Sequence, residues 1–227
     1  MKYDTKGKVL KKAVVWENLY FYRKADAIYQ LTVGFCHRFL PSHGDRTVDQ
    51  MVQAARSGKQ NIIEGSEDGQ TSSEMEIKLL NVARGSLQEL RADYHDYINT
   101  HNLALWDSVN DRQQRLRDFC HAHNDYCDYA PMMDKMNDEE WANLVLTLCH
   151  QTDKMMCSYI ENLEHRFVTE GGIKERMHAA RTGYRQNIDA QMNALKADNQ
   201  RLNAENAALQ KKIEELEKRG LGEPRKS

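Results

Sequence analysis

Residues 188–216 read IDAQMNALKADNQRLNAENAALQKKIEEL, and their spacing is the sharpest structural signal in the chain. Ile188, Leu195, Leu202, Leu209 and Leu216 recur every seven residues, and Met192, Asn199, Asn206 and Ile213 each stand three residues before one of the last four. Such a heptad repeat is the pattern of a coiled coil, with the leucines at d and the second set at a. Asn at an a position meets its counterpart across a parallel pair, which fixes the register at a cost in stability. Lys212 at g would face Glu217 at e of the partner, an attractive pair. A lone amphipathic helix lying on a bundle shows the same leucine spacing but needs no Asn twice on its seam. The expectation is a homo-oligomer joined through residues 188–219, with the strand number left open.

Upstream of the repeat the composition also favours helix. The 227 residues contain three prolines and twelve glycines. The punctuation falls at a few places (Pro41, Pro131 and Pro224; Gly65 and Gly69; Gly171 and Gly172; Gly220 and Gly222), which leaves long segments rich in helix formers. Apolar residues at three- and four-residue intervals predict a first helix over about 14–39, from Leu19 and Tyr22 through Phe35, Cys36 and Phe39. A second, over about 46–64, would bury Val48, Met51, Val52, Ala55 and Ile62 and stop at Gly65; Asp45 or Thr47 would cap it. Capping chemistry at Thr71–Glu74 opens a third over about 73–99, with Met75, Leu79, Val82, Ala83, Leu87, Leu90, Tyr94 and Tyr97 inward. Residues 108–130 read as a polar helical insertion ended by Pro131. A helix from about Glu139, capped by Asn137 or Asp138, buries Trp141, Leu144, Val145, Leu148, Thr152, Met155, Tyr159, Leu163 and Phe167 and stops at Gly171-Gly172. The predicted architecture is all-α: an antiparallel four-helix bundle over 14–170 with an insertion at about 108–136. A basic arm (1–13) precedes it, and a linker (171–187), the coiled coil and a short tail (220–227) follow.

Charge is unevenly spread. Residues 1–66 carry 11 basic and 6 acidic groups, residues 67–170 carry 9 and 20, and residues 171–227 carry 12 and 8. A polyanion surface would therefore draw on the ends of the chain. Lys8, Lys11 and Lys12, interleaved with aromatic residues and followed by Arg23 and Lys24, are candidate phosphate contacts, as are Arg46, Arg56 and Lys59. Solvation of helix faces by these charges is the competing reading. No apolar run reaches membrane-span length, and no apolar region follows the basic start, so the expectation is a cytoplasmic protein. The five cysteines are scattered and odd in number, which reads as small core residues in a reducing compartment.

Two stretches resemble a known family. Residues 46–65, RTVDQMVQAARSGKQNIIEG, and residues 76–90, EIKLLNVARGSLQEL, are similar to the bacterial four-helix-bundle family first noticed as proteins encoded in ribosomal-RNA intervening sequences. With GGIKERM at 171–177 they are more similar still to the variant known as the four-helix-bundle suffix domain. The likeness covers most of residues 16–185. It implies a homo-oligomer, often a five-fold ring. There is also a distant resemblance to the accessory proteins of diversity-generating retroelements, which implies a partner that is RNA, DNA or a reverse transcriptase. The acidic middle and the insertion depart from that group.

Catalytic chemistry is sparse. Asn61 and Glu64 form a polar pair before Gly65, and the expected use of Glu64 is an ion pair with Arg56, Lys59 or Arg84. Cys120, His121, His123, Cys127, Asp128, Cys149, His150 and Cys157 are of zinc-ligand type, yet lack paired ligand motifs and read as core thiols and surface imidazoles. No phosphate-cradling glycine loop, nucleophile elbow or metalloprotease motif occurs. The expectation is a non-enzymatic adaptor without cofactor or metal, binding nucleic acid or a nucleic-acid enzyme; the alternative is a protein-interaction scaffold acting through its coiled coil.

Overall fold

The computed structural model describes residue 10 and residues 14–41, 46–107 and 111–220. The basic arm apart from Leu10, the proposed cap at Asp45 and the tail beyond Gly220 lie outside the described residues. Among those described the chain is all-α. A 3-10 turn at Trp16–Asn18 precedes α1 (Tyr20–Phe39), α2 (Arg46–Asp68), α3 (Ser73–Thr100), α4 (Asp111–Ala122), α5 (Tyr126–Met133), α6 (Asp138–Glu170) and α7 (Ile173–Gly220), and no strand occurs. No described helix is long and apolar enough to cross a membrane. The chain divides into two compact units, one spanning residues 8–176 and one containing residues 177–220.

In the first unit α1 packs on α2 and α6, and α3 packs on α2 and α6, so four long helices share one core. Ala25, Ile28, Leu31 and Phe35 of α1 meet Met51, Ala55 and Ile62 of α2 there, with Leu80, Leu87, Leu90 and Tyr94 of α3. Nine consecutive residues of α6, Trp141–Cys149, are all buried. A helix with neighbours on several sides hides its whole circumference, and α6 touches α1, α3 and α4. Asn143 and Thr147 in that run are hydrogen-bonded, while the buried Trp141 indole N–H has no partner among the described residues. Asn143 donates to the carbonyls of Ala104 (2.9 Å) and Glu139 (2.8 Å) and accepts from the amide of Trp106 (2.8 Å), which ties the segment after α3 onto α6.

The caps follow the sequence. Ser72 accepts from the Met75 amide at the start of α3, and Asn137 accepts from the Glu140 amide at the start of α6. Gly171, at φ 75°, ends α6.

Several expectations are corrected. Gly65 does not end α2, which continues to Asp68. It is buried inside the helix, where an added Cβ would stand 3.2 Å from Leu79 Cβ and 3.4 Å from the Glu76 carbonyl. Missing bulk, not missing helicity, is what this position uses. On α3, Met75 and Val82 are exposed and Glu76 and Leu80 take their place on the buried stripe, while Ala83, Leu87, Leu90, Tyr94 and Tyr97 are buried as expected. The polar insertion is two helices, and Pro131 lies inside α5, which ends two residues later. Phe167 is exposed near the end of α6. The stretch 173–187, expected to be a linker, is helical and continuous with the heptad region.

Candidate assembly interface

Residues 177–220, taken by themselves, form one helix with no buried side chain described along it. The helix is unbroken through the whole repeat, so every a and d residue lies on the stripe that the spacing predicts. Seven of those residues are large and apolar, and all are solvent-exposed, from Ile188 at 40% to Leu195 at 62%. A soluble protein rarely leaves a continuous apolar stripe of that length open to water. Asn199 and Asn206 sit between leucines on the same stripe. In parallel register the e and g positions give Gln191–Lys196, Asp198–Asn203, Glu205–Gln210 and Lys212–Glu217, with no like-charged pair.

The structure places the candidate phosphate-binding cations differently from one another. Lys8, Lys11 and Lys12 lie outside the described residues. Lys24 is buried, and its ammonium donates to the carbonyl of Cys120 and, at 2.7 Å, to that of His123. Those two carbonyls lie at the C-terminal end of α4, where a helix lacks intrahelical donors and favours a cation. Burial pushes the ammonium below its ordinary value, opposed in part by Cys120, Asp128 and Asp125 nearby. Arg23 forms a two-pronged ion pair with Asp125, the N-cap of α5; the Nε–Oδ1 distance is 2.6 Å. Arg38, further along α1, donates through Nη1 to the carbonyl of Met133, the last residue of α5, at 2.7 Å. Three cations of α1 thus fasten the α4–α5 insertion at its helix ends. Arg23 and Lys24 serve the fold here, and a phosphate contact would have to displace that role.

Lys59 pairs with Asp26 at 2.7 Å and lies over the Tyr29 ring, joining α2 to α1. Arg46 lies at a groove of about 870 Å³ that Asp49, Glu89 and Asp93 also line, a setting unfavourable to a polyanion. Arg56 is exposed on α2.

Within one chain Glu64 does not pair with Arg56, Lys59 or Arg84. Arg84 pairs with Asp153 of α6 (Nε–Oδ1 2.9 Å), while Glu64, exposed, accepts from Gln60 at 3.3 Å. Asn61 donates to the Ser57 carbonyl at 2.9 Å, so Asn61 and Glu64 do not form an acid–base couple. The cysteines and histidines of the insertion are dispersed. Cys120 and Cys149 are buried, and burial pushes both thiols up to about 12, while Cys127 is exposed. Among the described residues no three His, Cys, Asp or Glu side chains gather as a metal-binding group.

The clamp residues Arg38 and Asp125 escaped the sequence reading. Arg38, in the last turn of a predicted helix, invites a local dipole role, and its partner lies 95 residues away. No protein-family model, curated protein or solved structure matches the chain.

Proposed function

We propose that the protein is a non-enzymatic homo-oligomeric scaffold in which α7 pairs in parallel with α7 of a second copy, each strand carrying an antiparallel four-helix bundle. The observation that carries the proposal is the exposed a/d stripe of α7 with its two asparagines. Burying each Leu, Ile or Met contributes about 1.5–3 kcal/mol. Seven such residues per chain exceed an association cost of roughly 4–15 kcal/mol with room for two amide layers. Parallel pairing follows from those layers. In an antiparallel pair each a residue faces a d residue, so Asn199 and Asn206 would meet leucines and leave amides unpaired. The cyclic packing of α1, α2, α3 and α6 and the short connection from Asp68 to Ser73 support the antiparallel bundle and, with it, the resemblance to the four-helix-bundle family.

An adaptor role toward RNA, DNA or a reverse transcriptase has less support, because Arg23, Lys24 and Lys59 are engaged in holding helices together. The test is the absolute mass of the full chain by light scattering, at low and high salt, beside Leu202→Lys/Leu209→Lys. The wild type is expected at roughly twice its 26.4 kDa chain mass, and the variant at one chain mass with its helicity kept. A monomeric wild type, or an oligomeric variant, defeats the scaffold reading. Nucleic acid that co-purifies at low salt and is released at high salt restores the adaptor.

A further inference from the structure

We infer, resting on the parallel pairing of α7 proposed above, that the two helices hold a cationic slot just upstream of the coiled coil and that it binds single-stranded nucleic acid. The basis is the heptad register carried back along an unbroken helix. Upstream of Ile188 the next a and d positions are Arg185, Arg181 and His178. The helix runs through all three, and all three are exposed. Residues on the a/d stripe face the axis of a pair. The stripe that carries leucines, isoleucine, methionine and asparagines from Ile188 onward therefore carries cations before it.

Two of these layers set arginine against arginine. Residues 177–188 contain no acidic residue, so no carboxylate of the same stretch answers them, whereas residues 189–217 carry 6 acidic and 4 basic groups. Like charges face to face hold the arms apart, and the apolar seam stops at Ile188. What remains is a slot about one helix separation wide, roughly 8–10 Å between axes, with four guanidinium groups on its inner walls. An anion in the slot removes the repulsion and accepts from the guanidinium forks of both arms.

The shape of the slot selects the anion. A bilayer or the face of a folded protein is broad and cannot enter between two helices. A duplex takes helices into its grooves from outside, whereas a single strand is thin enough to lie between the arms. Tyr184 supplies the second observation. It stands at g, beside the seam on each arm, and is 70% exposed, an aromatic face open to a base. Cations that follow a phosphate chain and exposed rings that stack its bases make a sequence-tolerant single-strand site. These groups are distinct from the bundle cations Arg23, Lys24 and Lys59, which fasten helices to one another.

The test is fluorescence anisotropy of a labelled oligothymidylate of about 20 nucleotides, titrated with the full chain over a range of salt, with light scattering on the same samples. Salt-sensitive binding of one strand per dimer is expected. Arg181→Gln/Arg185→Gln should weaken it by about ten-fold or more and make the salt slope shallower by about 3, since four phosphate contacts at roughly 0.7 each are lost from the pair. Tyr184→Ala should weaken it by about five-fold or more and leave the slope unchanged. Arg201→Gln/Lys211→Gln, an equal loss of charge at exposed c and f positions, should change the affinity by about two-fold at most. Leu202→Lys/Leu209→Lys adds cations but separates the arms, and should bind at least about ten-fold more weakly. Four results overturn the inference and leave the scaffold standing: a dimeric wild type that does not bind, full affinity in Arg181→Gln/Arg185→Gln, full affinity in the monomeric variant, or a preference for a duplex of the same length or for phosphatidylserine vesicles as competitors. A monomeric wild type defeats both.

Discussion

Gly58 on α2 and Gly85 on α3 look alike in the sequence, each a glycine inside a helical pattern next to a serine. Their surroundings differ. A Cβ at Gly58 would stand 2.8 Å from Leu87 Cδ2 and 2.9 Å from its Cγ, and Leu87 is buried with no room to swing aside. A Cβ at Gly85 would meet nothing within 4 Å. Gly58→Ala should therefore cost about 1–3 kcal/mol through overpacking, against a helix-propensity gain of at most about 1 kcal/mol. Gly85→Ala should raise stability by about 0.5–1 kcal/mol. Urea unfolding followed by tryptophan fluorescence reads both changes, because Trp16, Trp106 and Trp141 all lie in the bundle unit. Equal shifts for the two variants would show that α2 and α3 are not in the close contact described. That Gly58 meets Leu87 while Gly85 meets nothing could not be read from the sequence, where both stand in the same helical pattern.

The α4–α5 insertion joins the core through Cys120, Tyr129 and Met133 and is fastened at its helix ends by single charged groups. Lys24→Met removes the donor to the Cys120 and His123 carbonyls; the His123 carbonyl keeps the Tyr129 hydroxyl (2.7 Å), while the Cys120 carbonyl loses its side-chain donor. The expected cost is roughly 1–3 kcal/mol. It should appear as faster hydrogen exchange confined to residues 111–133, and uniform loss of protection across α1–α6 would show a general core role instead. Acid should loosen this region and the segment that follows α3. Arg23 holds the Asp125 carboxyl below the usual carboxylate range, and the Trp106 indole and Ala104 amide do the same for Glu139. With folded values below the unfolded ones, both groups contribute stability above about pH 4, and that stability is lost as pH falls through their folded values. Arg23→Gln should flatten the acid limb of the stability profile, seen by thermal melts between roughly pH 2 and pH 6. An unchanged limb would remove Asp125 from the account. Helix boundaries and caps at Ser72 and Asn137 could be read locally, since a cap acts within one turn. The clamp could not, since its partners are about a hundred residues apart.

Assembly belongs to the whole chain. In the proposed pair of α7 helices, Asn199 and Asn206 would stabilise less than apolar residues and would oppose other strand numbers. Asn199→Ile/Asn206→Ile should raise the melting temperature of α7 and broaden the mass distribution by light scattering. Retention of a single sharp dimer mass would mean that register is set elsewhere on the seam. The heptad was visible directly, because seven-residue periodicity is a one-dimensional property of a helix, and the helix proves unbroken through it.

The residues alone were enough for the all-α class, the main helices and their caps, and the apolar stripe of α7, because propensity, periodicity and capping act over a few residues. Tertiary packing decided the rest. It carried α2 through Gly65 against Leu79, buried α6 on every side over Trp141–Cys149, and drew Arg23 and Lys24 into the fold. Whether a cation meets a carbonyl or a carboxylate depends on which distant helix end arrives beside it, and local spacing carries no record of that.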